Sequence, residues 1–172
     1  MNNLAAIGSY VALRKQGEMD FKAFQKVLYF ITESGIPTGL LYSLHSNGPY
    51  SSRLDYSIDN LELMGAIRIS QTKSGYRILP GDSAEALVEK GRDLIGKYRE
   101  RIDYLLERLP ENAMELELWA TVCYVADVQK GIYGSLDESE IAKEVMRVMN
   151  DKPGERRIIE VLNNMRRSGL IR

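Results

Sequence analysis

Apolar residues at Leu4, Ile7, Val11 and Leu13 recur at helical spacing ahead of Gly17, which predicts a first helix closed near residue 17. Asp20 then stands where an N-cap belongs. It precedes Phe21, Phe24, Val27, Leu28 and Ile31, a stronger helical stripe that ends at Gly35, Pro37 and Gly39. A short extended piece, residues 40–44, leads into the stretch HSNGPYSSRLD at 45–55. There Asn47-Gly48 reads as a turn, and Pro49 as the first residue of a third helix, since its missing N–H would be unpaired at that position anyway. That helix places Leu54, Ile58, Leu61 and Met64 on one face and stops at Gly65. Ile67 and Ile69 alternate with Arg68 and Ser70, residues 72–75 (Thr-Lys-Ser-Gly) turn the chain, and Tyr76 and Ile78 alternate back to Pro80-Gly81. This is a β-hairpin. Three helices followed by a hairpin is the order of a winged helix, with the piece at 40–44 expected to pair with the hairpin as the third strand.

Beyond residue 82 the pattern is helical throughout. Residues 83–109 carry a stripe at Leu87, Gly91, Leu94, Tyr98, Ile102, Leu105 and Leu109. Its mean step of about 3.67 residues exceeds the 3.5 of a left-handed coiled coil, so it predicts one long straight helix. A helix over 111–131 is apolar nearly all round between Leu118 and Val128, the mark of a central helix. The remainder, 137–172, opens with Asp137 and Glu140 in a capping-box arrangement, followed by Ile141, Val145 and Met149. It echoes the third helix at a shift of 104 residues: Leu54 meets Ile158, Ile58 meets Leu162, Asn60 meets Asn164, Leu61 meets Met165, Gly65 meets Gly169, Ile67 meets Ile171 and Arg68 meets Arg172. This reads as a second helix-turn-helix, although any buried helix followed by glycine gives some echo. The expected fold is therefore mainly α with a small β-hairpin or three-stranded sheet. A winged-helix domain at 1–82 precedes a helical domain at 83–172.

Composition narrows the chemistry. Hydrophobic residues make up 44% of the 172 and charged residues 27%, with 23 Lys and Arg against 24 Asp and Glu for a net charge of -1. A surface coated in nucleic acid needs more positive charge than that, though a local basic stripe remains open. The single cysteine excludes a disulfide framework within the chain and fits a reducing compartment. No basic segment precedes the first apolar residues, and the longest apolar run, residues 118–126, is about half a membrane span. A cytoplasmic protein without a membrane partner is expected.

The segments FQKVLYFI (24–31) and HSNGPYSSRLD, followed by IxxLxxxGxI ending at Ile67, resemble the YwgA-type proteins of bacteria and archaea and, more remotely, the Panacea domain of antitoxins. The resemblance covers roughly the first 80 residues, and the GPYS step preceded by a histidine is its most specific element. The first similarity implies a winged-helix-like N-terminal domain with no established activity, and the second a protein-binding antitoxin role. Tyr50 departs from the Panacea pattern, which carries an aliphatic residue after the GP step.

Candidate chemistry is sparse. His45 and Cys123 are the only residues of their kinds, too few for a zinc site, and Cys123 sits in the most apolar helix as a small hydrophobe. No phosphate loop, GxSxG elbow or HExxH occurs, so neither an enzyme nor a cofactor is expected. The first functional reading is a regulatory protein that binds DNA. Tyr50, Ser51 and Arg53 would lie on the first turn of the third helix; Arg68, Lys73 and Arg77 form a hairpin with no acid between 63 and 81. Arg156, Arg157, Asn163, Arg166 and Arg167 belong to a terminal stretch with five arginines against two glutamates. The outward side of the third helix, Ser52, Asp55, Tyr56, Asp59 and Glu62, is acidic and repels phosphate. The second reading is accordingly a protein-interaction module, antitoxin-like or adaptor, using His45, Tyr50, Tyr56 and Asp59. A homodimer is expected from the long stripe at 83–109, which a small domain would leave uncovered; the competing arrangement packs the stripe on the helix over 111–131 within one chain.

Overall fold

A computed structural model describes residues 2–171. The chain is mainly helical with a small antiparallel sheet. In order, the first elements are α1 (Asn3–Lys15), β1 (Met19–Asp20), α2 (Phe21–Glu33), β2 (Ser43–His45), β3 (Gly48–Tyr50) and α3 (Ser52–Leu63). They continue as β4 (Ile67–Thr72), β5 (Gly75–Pro80), α4 (Ala84–Lys90), α5 (Arg92–Arg108), α6 (Ala113–Tyr133), α7 (Glu138–Val148) and α8 (Glu155–Arg167). The contacts gather residues 1–41 with 51–109 in one compact unit and residues 42–50 with 110–172 in another. The boundary expected at residue 82 thus falls elsewhere, and a nine-residue hairpin leaves the first unit for the second.

The first unit has the winged-helix order. Asp20 caps α2 by accepting the Ala23 N–H at 2.7 Å, and β4 and β5 pair from Ile67–Pro80 to Thr72–Gly75 around a two-residue turn. The third strand differs from the expectation. It is β1, with Met19 opposite Ile78 and Asp20 opposite Arg77, giving the order β1-β5-β4. Residues 43–45 pair instead with 48–50 across Ser46-Asn47, where Gly48 takes the positive φ of 94° that the turn requires. Closing so short a loop costs far less entropy than reaching the hairpin some thirty residues away. Pro49 consequently lies in β3, and α3 begins three residues later than expected.

The long straight helix is also corrected. It breaks at Gly91, whose backbone (φ -95°, ψ 22°) leaves the helical region, into α4 and α5. Both then pack on α1, and α5 also on α2, burying Ile95, Ile102, Leu105 and Leu106 inside the first unit. Within its own unit the stripe is buried at Gly91, Ile102, Leu105 and Leu109 and half-buried at Leu87, Leu94 and Tyr98, which weakens the reason for expecting a dimer. α1 itself is buried without interruption from Leu4 to Ala12, because Ala5, Ala6, Gly8, Ser9 and Ala12 bring its back close to its neighbours.

In the second unit α6 is central, buried nearly all round from Leu116 to Ala126, with β3, α7 and α8 against it. Asp137 caps α7 by accepting the Glu140 N–H at 3.1 Å. The turn into α8 holds Asn150 and Asp151 at φ 54° and 57°, the left-handed region these two residue types tolerate best. The sequence echo has a backbone counterpart. The Ala66 N–H bonds the Leu61 carbonyl across Gly65 (φ 77°), and the Leu170 N–H bonds the Met165 carbonyl across Gly169 (φ 73°), each at 2.9 Å. Both ends are Schellman closures. Arg172, paired with Arg68 in the echo, lies outside the described residues. No helix among those described is long and apolar enough to cross a membrane.

Candidate functional site

Approach to α3 is fixed by a side chain from α2. The Gln25 amide donates to the Ser51 carbonyl at 2.9 Å and accepts the Ser51 N–H at 3.1 Å, so it pairs with the backbone as a strand would. Ser51 is fully buried and caps α3, its Oγ accepting the Leu54 N–H at 3.2 Å. Ser51 therefore cannot touch a nucleic acid, and Tyr50 belongs to β3 rather than to the helix. Of the three residues expected on the first turn only Arg53 is there, and its guanidinium donates to the Gly39 carbonyl at 2.7 Å.

With Leu54, Ile58 and Leu61 buried, the exposed residues of α3 are Ser52, Arg53, Asp55, Tyr56, Asp59, Asn60, Glu62 and Leu63. Tyr56 is 87% exposed and Leu63 88%. They stand seven positions apart, about two turns, and so share one side of the helix, with Asp59 and Asn60 exposed on the turn between them. Asp55, Asp59 and Glu62 lie beside Tyr56 and Leu63 on the side toward β4, where the Glu62 carboxylate accepts the Ile69 N–H at 3.3 Å. Leu63 was legible as an apolar residue off the buried stripe, but in a sequence alone it passes for helix-end packing.

The hairpin divides its side chains between two faces. Paired positions share a face, so Ile67, Ile69, Gln71, Tyr76 and Ile78 lie on one side, while Arg68, Ser70, Arg77 and Leu79 lie on the other. The inner end of the first face is core: Ile67 and Ile78 are buried. Its outer end opens into a hollow of about 530 Å³ formed by Phe21, Glu62, Ile69, Gln71 and Tyr76. The arginines face away from that hollow, and Arg77 donates to the Glu18 carbonyl at 3.0 Å. Lys73 is exposed in the turn. The basic wing and the outward face of α3 are therefore not one surface.

On α8 the arginines also separate. Arg157 pairs with Glu115 and with Glu160, and Arg166 with Glu138 at 3.4 Å. Hydrogen bonds to these two glutamates hold the Arg157 guanidinium above its usual pKa. Arg156 and Arg167, eleven residues apart and so on one side, are exposed and have no carboxylate partner among the described residues; Asn163 lies between them, half-buried. His45, at the end of β2, places Nε2 3.1 Å from Ser43 Oγ and its ring 5.0 Å from that of Tyr50. Cys123 is buried, its thiol directed at Asp127 at 3.8 Å. Among the described residues no three His, Cys, Asp or Glu side chains gather into a group that could hold a metal ion. Set against known proteins, the chain matches no family model and no curated protein.

Proposed function

We propose that this protein is a non-enzymatic interaction module that uses a winged-helix scaffold to hold another protein, engaging it through the outward face of α3. The observation that carries this reading is the pair of Tyr56 and Leu63, both almost fully exposed, flanked by Asp55 and Asp59. A helix that enters a DNA groove needs donors and positive charge at these positions, and carboxylates there repel phosphate. A large apolar pair with a charged margin is instead the anchor-and-rim arrangement of a protein interface.

The test is affinity purification from the native cell, with and without nuclease, using the wild type, Tyr56→Ala and Asp59→Lys. A stoichiometric protein partner that survives nuclease is expected. Tyr56→Ala should cost on the order of 2 kcal/mol of its binding, a hot-spot magnitude. Recovery of DNA alone, with retention improved by Asp59→Lys, overturns the proposal in favour of a DNA-binding regulator using Arg156 and Arg167.

A further inference from the structure

We infer that the hollow between α3 and the hairpin takes an extended, lysine- or arginine-bearing segment of the partner as a fourth strand on β4. This inference rests on the protein-binding reading above and specifies its chemistry. β4 is the last strand of the order β1-β5-β4. The Ile69 N–H points away from β5, toward Glu62, so by alternation the Gln71 N–H points the same way. Once Glu62 is displaced, this edge offers backbone groups at every second residue, the requirement for strand addition.

Two further features choose the occupant. Ile69 and Tyr76 on the face beside this edge, with Phe21 farther across the sheet, form an apolar floor for the alternate side chains of an added strand that point to that face. Its wall is acidic: Glu62 stands in the hollow, and Asp59 and Asp55 follow one and two turns back along α3. Basic residues fit at the intervening positions of the segment, and a nucleic-acid backbone or an acidic peptide is repelled. Glu62 now caps the edge that the segment would pair with. A carbonyl arriving at Ile69 replaces that carboxylate and releases it to the incoming cation.

The probe is an amidated peptide of alternating lysine and valine, titrated into the full-length protein while backbone amide shifts are followed by NMR. Its glutamate–valine counterpart and a helix-forming lysine–leucine peptide serve as comparisons. The lysine–valine peptide should move the Ile69 and Gln71 amides, and the glutamate peptide should not bind. Asp59→Asn with Glu62→Gln should weaken binding roughly three- to tenfold, the scale of two surface ion pairs. Gln71→Pro should abolish binding, because proline removes an outward N–H without breaking the β4–β5 ladder. Tyr76→Lys should abolish it as well, which keeps the test decisive if the proline variant unfolds. Binding that survives both variants, preference for the helical peptide, or no binding at millimolar concentration overturns the inference. The two proposals fail separately in the cellular complex. If Tyr56→Ala leaves it intact, the protein-binding reading falls; if Tyr56→Ala breaks it and Gln71→Pro does not, only strand addition falls.

Discussion

Tyr10 donates its hydroxyl to Asp103 at 2.6 Å, tying α1 to α5, while Arg14 approaches the same carboxylate oxygen at 3.4 Å. Burial, and next the hydrogen bond to Asp103, push the phenol up to about 12 from the ordinary 10.0. The folded state therefore holds this proton more tightly than the unfolded chain. Its contribution to stability is complete below pH 10 and disappears as the pH rises toward 12. Denaturant titrations across that window should show a steeper loss of stability in the wild type than in Tyr10→Phe, where buried Tyr42 still titrates, and equal slopes would refute the assignment. At Gly81 the constraint is steric rather than electrostatic. A Cβ built there meets the Gly65 carbonyl oxygen at 2.2 Å, where the end of the hairpin passes the end of α3. Gly81→Ala should destabilise by about 1–3 kcal/mol, the range for overpacking. A thermal midpoint equal to that of the wild type would show that the junction yields.

At the level of elements, the Gln25 clamp explains why FQKVLYFI and GPYS belong together. Gln25 is buried on α2, and it satisfies both backbone groups of Ser51 at the point where β3 gives way to α3. Gln25→Leu, close in volume, would leave that N–H buried without a partner and the carbonyl with only the Asp55 N–H at 3.3 Å, at a cost of about 1–3 kcal/mol. Hydrogen exchange at Ser51 should accelerate accordingly, and an unchanged rate would mean that other groups hold the strand-to-helix step. A periodicity argument assigns Gln25 to a helix but cannot tell a clamp from a solvated polar residue. Nor could the stripe at 83–109 reveal its break: Gly91 occupies a stripe position, and a buried glycine looks the same in either arrangement.

For the whole molecule, the chain passes between its units at 41/42, 50/51 and 109/110. The hairpin at 42–50 is covalently flanked by elements of the first unit and packed on α6 of the second. Native-state hydrogen exchange should therefore group the amides of β2 and β3 with those of α6 to α8, because protection follows the cooperative unit and not the order of the chain. Protection that instead tracks α2 and α3 would remove the hairpin from the second unit.

The amino-acid pattern alone determined whatever rests on neighbours in sequence. The caps at Asp20 and Asp137, the helix stripes, the β4–β5 hairpin and its two-residue turn, the glycine closures after α3 and α8, and the outward acids of α3 all depend on residues a few positions apart. Tertiary structure decided whatever depends on which surfaces meet. It selected β1 over residues 43–45 as the third strand, folded α4 and α5 back onto α1, and turned Arg68 and Arg77 away from the side that α3 presents. It also buried Ser51 and left Leu63 bare. The division has one physical cause. Local hydrogen bonds and side-chain spacing act within one or two turns, whereas strand partnership and exposure are settled by burial and loop closure across the whole chain.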